Sequence, residues 1–176
     1  IKQTPELLYD VVRDELLPHV DMTTMSMWVL GRHWRSASPT QQTAFIDEYG
    51  TLLVRFYASA LLDNPSQLDG LLEAHTKTPL ITFFPDKTPA GAKKSIVRSE
   101  VHIPDGPKVP VTFLFYRKKT SDPWRVIDVT VDGISMVTSY RKSFDSEIRQ
   151  LGMQGMLDRL AQRNRELLEK SRSASR

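Results

Sequence analysis

The chain has no cysteine, which removes disulfides, thiolate nucleophiles and cysteine-ligated metal sites together. No apolar run approaches the ~18 residues needed to cross a bilayer, so an integral membrane protein is not expected. There is no P-loop, no GxGxxG and no nucleophile elbow, and no cofactor is expected. The four histidines, His19, His33, His75 and His102, never fall three or four residues apart. They read as surface or edge residues, and no metal site is expected. Aromatics amount to 9% and are not interleaved with basic residues on a strand. The platform that stacks nucleic-acid bases is therefore missing, and no nucleic-acid partner is expected. The first residue is Ile1 rather than methionine, as in a chain from which an upstream segment has been removed, a signal peptide or otherwise.

What is present suits one folded, soluble domain. The 176 residues are 40% apolar and 26% charged, enough to build a substantial core. Residues 1–170 are expected to form that domain, with 171–176 as a frayed tail. A net charge of +3 suits an anionic surface, and equally serves plain solubility.

Periodicity divides the chain into three parts. Thr4-Pro5 is a helix start, followed by an apolar stripe through Leu7, Leu8, Val11, Val12 and Leu16 that Pro18 stops. Asp21 can cap a second helix reaching about Trp34. Ser38-Pro39-Thr40-Gln41 has the form of a reciprocal capping box. The helix behind it is apolar over most of its circumference, from Phe45 and Tyr49 to Phe56, Tyr57 and Leu61, and so should be buried on several sides; Asn64-Pro65 ends it. The middle switches to a period of two. Short strands over Leu80–Phe84, Ile96–Ile103, Val109–Lys118 and Trp124–Val131 are separated by turn signals, which imply an antiparallel meander. The last third is helical again, with Val137, Tyr140, Phe144, Ile148 and Leu151 in one stripe, Gly152 as a stop, and a final amphipathic helix from Met156 to Leu168. The expected fold class is α+β: N-terminal helices, an antiparallel sheet meander and C-terminal helices.

Three places can carry function. In Val109–Lys118 one face holds Val109, Val111, Phe113 and Phe115 and the other Leu114 and Tyr116, so both faces are covered or one lines a dry cavity. Asp128 stands in an otherwise apolar strand. It can be a base with a raised pKa, or a structural acceptor for a helix N-terminus or for an arginine such as Arg141. Basic residues gather loosely at Arg32 and Arg35, Lys93 and Lys94, Lys118 and Lys119, and Arg141 and Lys142, with Arg159, Arg163 and Arg165 on the last helix. Gly133 is expected to turn the chain sharply from strand to helix and Ser135 to cap that helix.

The string Trp124-Arg125-Val126-Ile127-Asp128-Val129, with Val131-Asp132-Gly133-Ile134-Ser135-Met136-Val137 and Tyr140-Arg141-Lys142-Ser143-Phe144, resembles the signature of the periplasmic phospholipid shuttles of the Mla (maintenance of lipid asymmetry) pathway. The same family is known as the toluene-tolerance auxiliary component of an ABC transporter. Leu30-Gly31-Arg32-His33-Trp34 with Ser38-Pro39-Thr40-Gln41-Gln42, and Phe56-Tyr57-Ala58-Ser59-Ala60-Leu61, are similar to its earlier segments. The likeness runs in order over residues 5 to 168.

The resemblance implies a helical layer over a curved sheet of NTF2-like or cystatin-like architecture, and a phospholipid whose acyl chains enter an apolar cavity between helices and sheet. It implies a periplasmic monomer that exchanges lipid between an inner-membrane ABC transporter complex with an MCE protein and an outer-membrane lipoprotein complex, without a catalytic step. Two chains of about sixteen carbons represent roughly 25 kcal/mol of transfer from water. A bilayer offers nearly the same environment, so such a cavity has only to match lipid. The candidate walls are Phe56, Tyr57, Phe113, Phe115, Val129, Val131, Met136, Tyr140 and Phe144. Two other readings stand beside this one: an NTF2-like isomerase or dehydratase on a small hydrophobic substrate, with Asp128 as base and Tyr57 or Tyr140 as donor, and an interaction module with a solid interior.

Overall fold

Asp21 starts the first regular helix: its carboxylate accepts the Thr24 N–H at 2.9 Å and the Thr24 hydroxyl at 2.7 Å, satisfying a donor that the first turn leaves free. The computed structural model describes residues 10, 12–62, 79–85, 87–102 and 106–174, with side chains left out at 12, 56–62 and 171–174. This helix, α1, spans Met22–Leu30. Before it, Val12–Leu16 form a wide π turn and Leu17–His19 a single 3-10 turn containing Pro18. Pro18, which has no N–H to donate, sits at the start of this last turn. Thr4-Pro5, Leu7, Leu8 and Val11 lie outside the described residues.

The helix expected to reach Trp34 breaks at Gly31, a weak helix former. The Gly31 N–H closes α1 on the Met27 carbonyl at 3.0 Å, and α2 covers Arg32–Ser36 separately. The capping box then forms in both directions: Gln41 N–H donates to Ser38 Oγ at 3.2 Å and Ser38 N–H to Gln41 Oε1 at 3.1 Å. It opens α3, Pro39–Leu62.

The middle is one five-stranded antiparallel sheet in sequence order: β1 Ile81–Phe83, β2 Lys94–His102, β3 Lys108–Tyr116, β4 Arg125–Val131 and β5 Ile134–Ser135. β5 is an addition to the expected strands. Asp132 and Gly133 take φ of 48° and 78° between the paired residues Val131 and Ile134. This is the geometry of a two-residue type I′ hairpin, for which Asp-Gly is a strong signal. The chain therefore doubles back once before the helix begins. Ser135 ends β5 and also caps the helix, accepting the Thr138 N–H at 3.1 Å. On the same edge of β4, Val20 makes a parallel bridge to Val126, and the Asp21 N–H donates to the Val126 carbonyl at 2.9 Å. Both α1 and the last helix thus leave from the β4 edge.

That last helix, α4, covers Met136–Ala174 and is interrupted at Gly152. Arg163 Nη2 meets Glu147 Oε1 at 2.8 Å across the break. Sixteen residues of straight helix would separate them by about 24 Å, so the chain reverses at Gly152 and α4 is two antiparallel arms. Gly152, at φ 70° and ψ 173°, occupies a backbone region open essentially to glycine alone.

The arms close on α1 and α3. Phe45, Tyr49, Phe144, Met156 and Leu160 are fully enclosed there, with the Phe45 and Phe144 rings edge to face at 5.2 Å and Tyr49 and Tyr140 at 5.3 Å. Among the described residues this cluster of buried side chains is helical throughout and includes no strand residue. The fold is α+β, with a solid helical core beside the sheet.

Candidate functional site

The alternation of β2, β3 and β4 carries one side of the sheet into apolar rows. The register aligns Ser95, Phe115 and Val126, then Val97, Phe113 and Val129, then Ser99, Val111 and Val131. A bulge between Leu114 and Phe115 shifts the pairing with β4 and sends Ile127 fully inside, re-aiming the strand as bulges do. The two serines on this face are buried and satisfied: Ser99 Oγ donates to the Val111 carbonyl at 3.0 Å, and the Thr88 hydroxyl reaches Ser95 Oγ at 2.7 Å. Phe113 and Phe115, 6.4 Å apart between ring centroids, remain only half-buried, as do Val129 and Val131. The helices α1 and α4 meet the sheet chiefly at β4 and β5, which leaves the rows of β2 and β3 beyond the solid core. The opposite face, with Arg98, Glu100, Thr112 and Thr130, is markedly more polar.

At one end of the apolar rows lies a cavity of about 420 Å³, bounded by Val97, Phe115, Pro89 and Trp124 and by the side chain of Arg117. Its volume is in the range of small-molecule sites. A second cavity, about 570 Å³, opens between the N-terminal turns, α3 and the end of α4, with Leu17, Met22, Ile46, Val54 and Leu168 as walls and Arg13 and Arg55 at its rim. It borders the stretch of α3 that leads into Phe56 and Tyr57.

The sequence candidates therefore fall into separate places. Phe113, Phe115, Val129 and Val131 share the sheet face. Tyr140 and Phe144 belong to the helical aromatic cluster, where Phe144 is 1% exposed. Met136 is half-buried at the start of α4. The Phe56 and Tyr57 side chains lie outside the described residues. Sequence reasoning passed over Arg117, although it is the next residue in the odd-numbered alternation of Val109 to Phe115.

Asp128 is engaged as a helix cap. Its carboxylate accepts the Ser135 hydroxyl at 2.6 Å and the Val137 N–H at 3.1 Å, at the cap and in the first turn of α4, where the helix dipole favours an anion. Arg141, offered as a partner for Asp128, instead donates from Nε to the Trp28 carbonyl at 2.6 Å, and Lys94 sits 5.2 Å above the Trp28 ring. His33 has a distinct role. Its Nε2 stands 2.7 Å from Asp145 Oδ1, which Arg32 also contacts at 2.8 Å, while Arg149 holds Oδ2 at 2.8 Å. The hydrogen bond with His33 keeps the Asp145 carboxyl below the usual carboxylate range, with Arg32 and Arg149 adding to it. Among the described residues no helix is long and apolar enough to cross a membrane.

Known proteins are similar to this chain. A phospholipid-binding protein from Ralstonia solanacearum, solved in complex with a phospholipid, has a similar fold with a TM-score of 0.76 at 24% identity, covering 94% of this chain and 85% of its own. The intermembrane phospholipid transport system binding protein MlaC of Haemophilus influenzae is 25% identical over 162 residues, 92% of this chain and 71% of that protein. A toluene tolerance protein of Pseudomonas putida is 27% identical over 152 residues, 86% of this chain and 64% of its own length. The profile of the MlaC protein family matches residues 1–162, and the chain belongs to that family.

Proposed function

We propose that this protein is a periplasmic phospholipid carrier with no catalytic step. It would take lipid from an inner-membrane ABC transporter complex containing an MCE protein, pass it to an outer-membrane lipoprotein complex or the reverse, and act as a monomeric single domain. One observation carries the reading: membership of the MlaC family over residues 1–162, in a chain whose β2–β4 rows of Phe and Val stand outside the solid core. Acyl chains laid on Phe113, Phe115, Val129 and Val131 would remove apolar surface from water at about 25 cal/mol per Å². The helical cluster holding Phe144 would serve as a rigid frame. Phe56 and Tyr57, with Met136 and Tyr140, would complete the wall between helices and sheet.

The engagement of Asp128 with Ser135 and Val137 supports a carrier over an isomerase or dehydratase, because both carboxylate oxygens already accept hydrogen bonds within the fold. The test is mass spectrometry of an organic extract of the natively purified protein, paired with native mass spectrometry for stoichiometry. One or two phospholipids per chain is the expected result. A protein that is empty and takes no lipid from vesicles would refute the carrier.

A further inference from the structure

Arg117 is held in an unusual way for a surface cation. Its Nε donates to the Ala92 carbonyl at 2.9 Å and its Nη1 to the Thr120 carbonyl at 2.8 Å. Its guanidinium carbon lies 4.2 Å from the centre of the Trp124 ring. The main chain is fixed too, with the Arg117 N–H on the Lys93 carbonyl at 3.0 Å. Two carbonyls and the indole beneath it thus fix the guanidinium before any ligand arrives, so little rotamer entropy remains to be lost on binding. A guanidinium has five N–H donors, and two of them are used among the described residues. Among the described residues no carboxylate pairs with it: Asp122, the nearest in sequence, accepts the Lys119 N–H at 2.9 Å instead. A half-buried cation with no carboxylate partner among the described residues therefore borders the cavity of about 420 Å³ whose other walls include Val97, Phe115 and Trp124.

From there the apolar rows run on through Phe113 and Val129. A ligand matching both parts needs an anionic group at one end and long apolar chains at the other.

We propose that Arg117 is the anchor for the phosphate of the bound lipid, with its free guanidinium donors on phosphate oxygens and the acyl chains leading from Phe115 along the β2–β4 face. This rests on the carrier reading above. Planar, charge-assisted pairing with phosphate is the chemistry for which arginine is suited. Such an anchor would set how far along the sheet the chains lie, and it would favour phosphate-bearing lipids over neutral ones.

The test loads delipidated protein from vesicles of phosphatidylglycerol or from dispersions of the matching diacylglycerol. Occupancy is read by native mass spectrometry, and the environment of the bound phosphate by phosphorus NMR. Wild type is expected to favour the phospholipid by about tenfold. Arg117→Gln is expected to abolish that preference, so that phospholipid and diacylglycerol load the variant equally, and to shift the bound phosphorus resonance. Arg117→Lys, which keeps the charge and loses the fork, should fall between, and it carries the test if the glutamine variant does not fold. An Arg117→Gln protein that melts like wild type and keeps its lipid preference and phosphorus spectrum overturns the anchor alone. Wild type that accepts neither lipid overturns the carrier reading and the anchor with it. An Arg117-dependent shift produced by inorganic phosphate, with none from phospholipid, assigns the site to free phosphate and overturns the lipid anchor.

Discussion

Replacing Asp128 with asparagine separates a structural carboxylate from a catalytic one. The native side chain accepts the Ser135 hydroxyl at 2.6 Å and the Val137 N–H at 3.1 Å, and Ser135 Oγ in turn accepts the Thr138 N–H. Two donors of the first turn of α4 thus depend on this carboxylate, one directly and one through serine. Asparagine keeps the shape but has a single acceptor: if its oxygen stays on the Val137 N–H, its amide meets Ser135 Oγ, whose hydrogen must turn to Thr138 Oγ1, and the charge-assisted bond is lost. Val137 is 3% exposed, so water offers that N–H little relief. Losing a charge-assisted bond costs about 1.5–3 kcal/mol, and losing the anion at a helix N-terminus about 0.3–1 kcal/mol more. The expected loss is roughly 2–4 kcal/mol. At about 2–4 °C per kcal/mol for a chain of this size, the melting temperature should fall by roughly 5–15 °C. Circular dichroism melts measure this, and native mass spectrometry of the same samples should find lipid occupancy at 25 °C unchanged. Asp128→Ala should be worse, because Val137 then has no side-chain acceptor at all. An asparagine variant melting within about 1 °C of wild type would refute the capping argument, as that loss is too small for even one lost hydrogen bond. If it also lost a substrate turnover, the enzyme reading would take over.

Phe144→Ala should destabilise by about 3–5 kcal/mol, seen in urea unfolding, while the folded fraction still carries lipid; Phe113→Ser should instead lower lipid occupancy more than stability. If the two variants show the same profile, the division between helical core and sheet face fails. Gly152→Ala should cost about 1–3 kcal/mol, for backbone reasons alone, since an added Cβ would meet nothing within 4 Å; an unchanged urea midpoint would contradict the reversal of α4. Asp145 has a depressed folded-state pKa, so its contribution is fully present above the ordinary value of 3.8 and is lost as pH falls below it. Asp145→Asn should therefore be least stable relative to wild type near neutrality, with the gap closing toward pH ~2; parallel stability curves for the two proteins would exclude the His33–Asp145–Arg network as the cause.

Local chemistry made much of the fold legible in the sequence. The Ser38–Gln41 box and the Asp21 cap formed as read, because a capping bond spans only three residues and does not depend on what packs around it. The meander followed from turn signals between alternating runs, and Gly152 ends regular helix as its backbone requires. Some signals were present and misread: Asp132-Gly133 is a hairpin signal, but its partner strand is two residues long, too short for any periodicity to register. What only the tertiary structure decided was which apolar residues share a volume. Phe113 and Phe144 look alike on paper, both members of apolar stripes. The difference arises because α1 and α4 leave from the β4 edge and α4 folds back at Gly152. That arrangement seals Phe144 among Phe45, Tyr49 and Tyr140, while the β2 and β3 rows extend past the helices. Likewise the alternation of β3 could place Arg117 on the apolar side, but its two backbone acceptors come from a loop 25 residues upstream and from the turn that follows, and the ring beneath it from Trp124 beyond that turn. Pattern sets which side a residue faces; long-range contacts decide whether that side is core or an open apolar surface.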